Sequence, residues 1–173
     1  MLKVETLIKD TNINIGNKTT FLSIKNPLSA NLANQTLVEN DYDYLEGAIR
    51  LECSSEIILT ESMETTDLLF TWQTLAEPIL TPGNKEYEVS ILDSLYEVKI
   101  LANNSGFTFC INNPSRKDNQ VSNTIPKDEY LKAIIEGFLA FGEFIINNQF
   151  SFSEESSYSS FVQDYKALKK MKV

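Results

Sequence analysis

The 173-residue chain carries 24 acidic against 15 basic side chains, a formal charge of −9, with 42% hydrophobic residues including ten phenylalanines. That length suits one domain burying about two thirds of its unfolded surface, and the apolar content excludes a disordered chain. Histidine is absent, which removes the commonest general base and transition-metal ligand, and with them Ser-His-Asp, Cys-His and ordinary zinc sites.

Met1 to Asp10 bears charges at Lys3, Glu5, Lys9 and Asp10 and has no uninterrupted apolar run. It lacks the middle region of a secretory signal, so a cytoplasmic location is expected. In Thr11 to Ile15, Ile13 and Ile15 fall on one side, Gly16-Asn17 is a turn signal, and Thr19 to Ile24 is rich in β-branched and aromatic residues. Together they predict a hairpin. Pro27 marks a break, and the polar stretch from 26 to 40 with scattered leucines fits a short helix or a loop equally well.

Ala48 to Cys53 alternates with Ile49, Leu51 and Cys53 on one face and Arg50, Glu52 and Ser54 on the other, the pattern of a half-buried strand that Glu56 to Glu61 continues or pairs with. Thr65 or Thr66 is placed to cap a helix with Asp67 in its first turn. Leu68, Trp72, Leu75 or Ala76, and Ile79 recur at helical spacing until Pro78 and Pro82-Gly83 end it. Tyr87, Val89 and Ile91, then Tyr96, Val98 and Ile100, then Phe107 to Ile111 form alternating runs separated by turn residues, which predicts an antiparallel meander. Residues 112 to 124 read as a polar loop.

The helix predicted from Pro126 to about Asn147 has apolar residues around most of its circumference and only a narrow stripe of Lys132, Glu136, Glu143 and Asn147, so it belongs in a core. Gly137 and Gly142 lower its propensity by about 1 kcal/mol each, which implies close packing against another backbone. Its apolar stretch, Tyr130 to Ile146, is only 17 residues and contains Lys132, Glu136 and Glu143, too short and too polar to span a bilayer. A last helix near 158–171 follows a Ser/Glu-rich stretch. Lys166, Lys169, Lys170 and Lys172 lie in its final turns, where they complement the helix dipole or reach back toward acidic residues.

The fold class expected is therefore α+β: an antiparallel sheet of about five to seven strands, the 126–147 helix across one face, and smaller helices near 66–79 and 158–171. The whole reads as a single domain with a C-terminal helical appendage from about residue 151. Cys53 and Cys110 read as a buried, reduced pair of small hydrophobes. Asn-x-Ser/Thr triplets at Asn17, Asn34 and Asn103 are expected by chance in an Asn-rich chain.

Charge is the sharper functional clue. Fourteen of the 24 acids fall between Glu39 and Glu97, where the only basic residues are Arg50 and Lys85. Phosphate contacts need Lys and Arg, so direct nucleic-acid binding is not expected, whereas a basic protein partner is. Asp41, Asp43 and Glu46, with Glu52 beyond them, superficially resemble a calcium loop, but position five is Leu45 and the glycine falls at position seven. No metal or other cofactor is expected there. Glu136 and Glu143 share a helix face but stand further apart than a glycosidase pair.

With no phosphate loop and no Cys-x-x-Cys, a catalytic role is not expected. The partner-binding residues expected are Glu39, Asp41, Tyr42, Asp43, Tyr44, Glu46, Arg50 and Glu52, because aromatic rings among carboxylates supply buried area together with electrostatic steering. This fits an acidic protein-binding module, most simply an inhibitor or immunity-type protein that neutralises a basic partner such as a nuclease toxin. A structural or assembly subunit of a phage or secretion machine, and a carboxylate- or metal-dependent enzyme, are the alternatives.

Overall fold

The computed structural model describes residues 1–15 and 18–172, apart from the side chains of residues 12–15. The turn expected at Gly16-Asn17 lies outside the described residues. In chain order the elements are β1 (Leu2–Ile15), β2 (Lys18–Ser23), α1 (Ser29–Glu39), β3 (Gly47–Cys53), β4 (Glu56–Leu59), α2 (Leu68–Leu80), β5 (Glu86–Val89), β6 (Glu97–Asn103), β7 (Gly106–Asn113), β8 (Asp118–Val121), β9 (Ile125–Pro126), α3 (Lys127–Asn147) and α4 (Tyr158–Met171).

The fold is α+β, and its strands divide between two antiparallel sheets. One has the order β2-β1-β3-β4; the other runs β5-β6-β7-β8, with β9 paired to the start of β7. Alternation in a sequence assigns side chains to faces without naming the neighbouring strand, which is why one sheet and two look alike in sequence.

In the first sheet, Leu2, Val4, Thr6 and Ile8 of β1 share a face with Cys53, Leu51, Ile49 and Gly47 of β3. That face meets α2 and α3. On the other face Leu7 and Ala48 are buried, and α1 is tethered over them where Asn40 and Lys9 both reach Glu46. The stretch from 26 to 40 thus resolves into a helix, short and weakly amphipathic because it buries little more than Ala33 and Leu37.

Asp67, rather than Thr65 or Thr66, caps α2: its Oδ1 accepts the Phe70 N–H at 3.2 Å. Thr65 serves the adjoining strand end, where its hydroxyl oxygen accepts the Leu92 N–H at 3.1 Å. The helix continues past Pro78 to Leu80. It joins the two sheets. Leu68 packs beside Gly47 of β3, while the Thr71 hydroxyl donates to the Ser90 carbonyl just beyond β5.

The long apolar helix forms as expected, over Lys127–Asn147. Its buried residues close around Trp72, whose ring lies 6.0 Å from Phe138 and 6.4 Å from Phe141, while its Nε1–H donates to Thr6 Oγ1 at 3.1 Å. Tyr130, fully buried, donates its hydroxyl to the Leu75 carbonyl at 2.6 Å. Burial holds that phenol well above its usual ionisation range, so it remains a neutral donor.

The two helix glycines do allow close approach, but to rings rather than to backbone. A Cβ at Gly137 would stand 2.7 Å from Trp72 Cη2, and one at Gly142 would collide with Cδ2 and Cε2 of the Tyr165 ring. Phe161 stacks on Phe138 at 4.7 Å, which fastens α4 to the same core.

Gly142→Ala is therefore expected to destabilise the protein by about 1–3 kcal/mol, even though alanine gains about 1 kcal/mol in helix propensity. Urea unfolding checks this. If the collision is the cause, a Tyr165→Leu background will remove most of the loss.

Candidate interaction surface

Four loops meet at one end of the molecule: residues 40–46, 60–67, 90–96 and 148–157. The Leu68 N–H donates to the Leu45 carbonyl at 2.9 Å, and the Thr66 hydroxyl to Asp93 Oδ2 at 2.9 Å. The Ser153 N–H donates to the Tyr42 carbonyl at 3.0 Å and its hydroxyl to Asp43, while the Ser157 hydroxyl donates to Asp67 Oδ2 at 3.0 Å. This assembly brings Glu64, Asp93, Glu154 and Glu155 beside the acidic turn. No local pattern linked those four acids to it, because the contacts join residues as far as 110 positions apart.

Within the turn the expected residues divide by role. Glu46 is held by Lys9 at 3.5 Å and by Asn40 at 3.1 Å, and Lys9 also reaches Glu64 at 3.6 Å. Asp43 is held by Ser153. These carboxylates fasten the loops. Glu39 accepts from Thr11 at 3.4 Å at the rim, leaving its side chain exposed. Asp41 is exposed too, as are Tyr42 and Tyr44, at 38% and 44% of their full surface.

Asp41 and Tyr42 also share an unusual backbone. Their φ angles are +54° and +65°, the left-handed region that costs an ordinary residue about 1–2 kcal/mol. Two bonds hold Tyr42 there: its N–H donates to the Leu37 carbonyl at 2.7 Å and its carbonyl accepts from Ser153. The chain thus turns its tyrosine outward at some conformational cost.

Arg50 and Glu52 lie further along β3: Arg50 reaches the 60–67 loop through Glu61 at 3.3 Å, and Glu52 is about 20 Å of extended chain beyond Glu46. Trp72 is core. Cys53 and Cys110 are free, in different sheets. Glu86, Glu88 and Glu97 surround Lys99 on the open face of the second sheet, where the Glu86 bond and carboxylate raise the Lys99 pKa. Among the described residues no group of three His, Cys, Asp or Glu side chains is placed to hold a metal ion.

The lysines of α4 lie at the opposite end. Helices α2 and α4 run in the same direction, since contacts step from Asp67–Ser157 through Gln73–Ser160 to Gln73–Asp164. Fourteen residues of α4 then carry Lys169 and Lys170 about 20 Å from the acidic loops. Lys169 sits over the Tyr165 ring at 5.5 Å instead.

Asp67 is the buried acid of the cluster. Burial raises its pKa above 3.8, against the lowering effect of the bonds from Phe70 and Ser157. A carboxyl that holds its proton more tightly when folded favours the folded state less as pH rises from 3.8 through its folded pKa. Asp67→Asn keeps a capping side chain without that ionisation. Its stability relative to wild type is expected to rise over this window; Asp67→Ala also lacks the ionisation, so it is expected to rise in parallel but to lie about 1 kcal/mol below Asp67→Asn for want of a cap. Urea midpoints at acidic and neutral pH measure both.

Among the described residues no helix is long and apolar enough to cross a membrane. No protein-family model, no curated protein and no solved structure matches this chain.

Proposed function

We propose that this protein is a non-catalytic binding module whose acidic loop end covers a basic surface on a partner protein, in the manner of an inhibitor or immunity-type antidote to a basic toxin such as a nuclease. The observation that carries this reading is the gathering of Asp41, Glu64, Asp93, Glu154 and Glu155 from four loops around exposed Tyr42 and Tyr44. Exposed carboxylates of one sign accelerate encounter with an oppositely charged protein, and tyrosine supplies rigid, amphipathic area once contact is made. The outward-held Tyr42 fits an anchor, because backbone strain is retained where a side chain's direction matters.

The reading also assigns different roles to the acids. Asp41, Glu154 and Glu155 steer. Asp43 and Glu46 hold the loops in register and act on binding through the geometry of the turn.

The test is affinity capture from the native host with identification of the bound protein, followed by kinetics on the purified pair. The partner is expected to be basic and its association to slow with salt. The triple variant Asp41→Asn, Glu154→Gln, Glu155→Gln is expected to lower the association rate by about tenfold with little change in dissociation. Tyr42→Ala is expected to speed dissociation, at a cost of about 2 kcal/mol in affinity. Salt-independent association, unaffected by all four substitutions, would refute the proposal.

A further inference from the structure

The half of β1 nearest the chain start has a neighbour on one side only. β3 pairs with Leu2–Ile8, but β2 pairs with β1 only from Leu7 onward, and the last bond from that side runs from the Ile24 N–H to the Thr6 carbonyl at 3.1 Å. In an antiparallel ladder a residue's N–H and C=O point to the same side, and the side alternates along the strand. Val4 therefore directs both groups away from β3, as Thr6 does. No described backbone group bonds them.

The space beside them is a cavity of about 520 Å³, with Lys3, Val4, Glu5 and Arg50 on one wall and Gly137 and Ala140 of α3 on the other. A second cavity of about 340 Å³ shares Leu2, Ala133 and Glu136 with it and continues the lane toward Met1.

We infer that this lane receives an extended polypeptide segment of a partner, added as a strand to the free half of β1. Its side chains opposite Lys3 and Glu5 are an acid and a base, two residues apart. The charge pattern of the sheet sets this choice. On the β3 side Lys3 faces Glu52 and Glu5 faces Arg50, so charges of opposite sign already stand opposite one another across the ladder. A strand on the free side continues that pattern only with one charge of each sign, because like charges directly opposite are destabilising.

One further feature fits a strand. On the α3 side, Ala133, Gly137 and Ala140 leave room for the side chains of the opposite face. Main-chain bonds would supply affinity and the alternate side chains specificity, as in strand addition generally. This surface is distinct from the acidic loop end and does not depend on its role.

The test uses the full chain and three synthetic heptapeptides of alternating Thr and Val, with Lys-Val-Glu, Glu-Val-Glu or Lys-Val-Lys at the centre. Amide NMR titration to about 1 mM, the scale of weak strand addition, reads binding. The Lys-Val-Glu peptide is expected to bind at least about tenfold more tightly than the other two and to shift the Val4 amide. Lys3→Glu is expected to transfer the preference to Lys-Val-Lys.

Val4→Pro removes the outward N–H without taking a bond from β3 and is expected to abolish binding; Val4→Ala retains it. Ala140→Arg narrows the lane from the helix side and leaves β1 untouched, so it reports the same loss if Val4→Pro unfolds. The proposal fails if no peptide shifts the Val4 amide, if all three bind alike, or if Ala140→Arg leaves binding unchanged. It fails equally if the edge is occupied by a second copy, seen as dimerisation sensitive to Val4→Pro.

Discussion

The position of the Trp72 indole governs how the rest of the chain assembles. Its ring lies between the first sheet and α3, its nitrogen bonded to Thr6, and α3 can approach only because residue 137 has no side chain. Trp72 belongs to α2, which is bound to both sheets. Fixing this ring therefore fixes both sheets relative to α3. Phe138 and Phe141, which touch the indole, also touch Phe161, so α4 is positioned through the same cluster. Aromatic pairs of this kind contribute about 0.5–1.5 kcal/mol each beyond simple burial.

The shared direction of α2 and α4 has an electrostatic consequence. Both helices begin at the acidic loops, so their positive dipole ends lie beneath Asp67, Glu154 and Glu155, and the lysines of α4 lie at its negative end. The fixed charges thus complement the helix dipoles at both ends. This offsets part of the repulsion among the acids. It also helps so many carboxylates share one end, where Lys9 pairs with Glu46 and Glu64.

The legible parts of the fold were those whose burial follows a simple period. The β5–β7 meander and α3 alternate or rotate cleanly between core and solvent, and both form close to where the sequence places them. The start of β1 alternates too, at Leu2, Val4, Thr6 and Ile8, but Leu7 is apolar on the opposite face because α1 covers it there. That second covered face obscures the pattern. β8 had no signal at all: its four residues are exposed, and it exists through backbone pairing to β7. Likewise Tyr42 and Tyr44 could be picked out as aromatic residues among acids, whereas Glu154 and Asp93 required knowledge of which loops meet.

Asp43 shows why composition marked this acidic turn without resolving which of its carboxylates are exposed. In sequence it is equivalent to Asp41, two residues away in the same acidic turn. In the fold Asp43 is consumed by Ser153, while Asp41 occupies a left-handed backbone position and faces water. What separates them is a serine 110 positions away. A carboxylate bonded within the fold has committed part of its hydrogen-bonding capacity to the loops, so its charge still contributes to the long-range field but its oxygens are less available to a partner. Under the proposed function, contact specificity then rests on the two tyrosines, and Asp41 with the other exposed acids sets the rate at which a partner arrives.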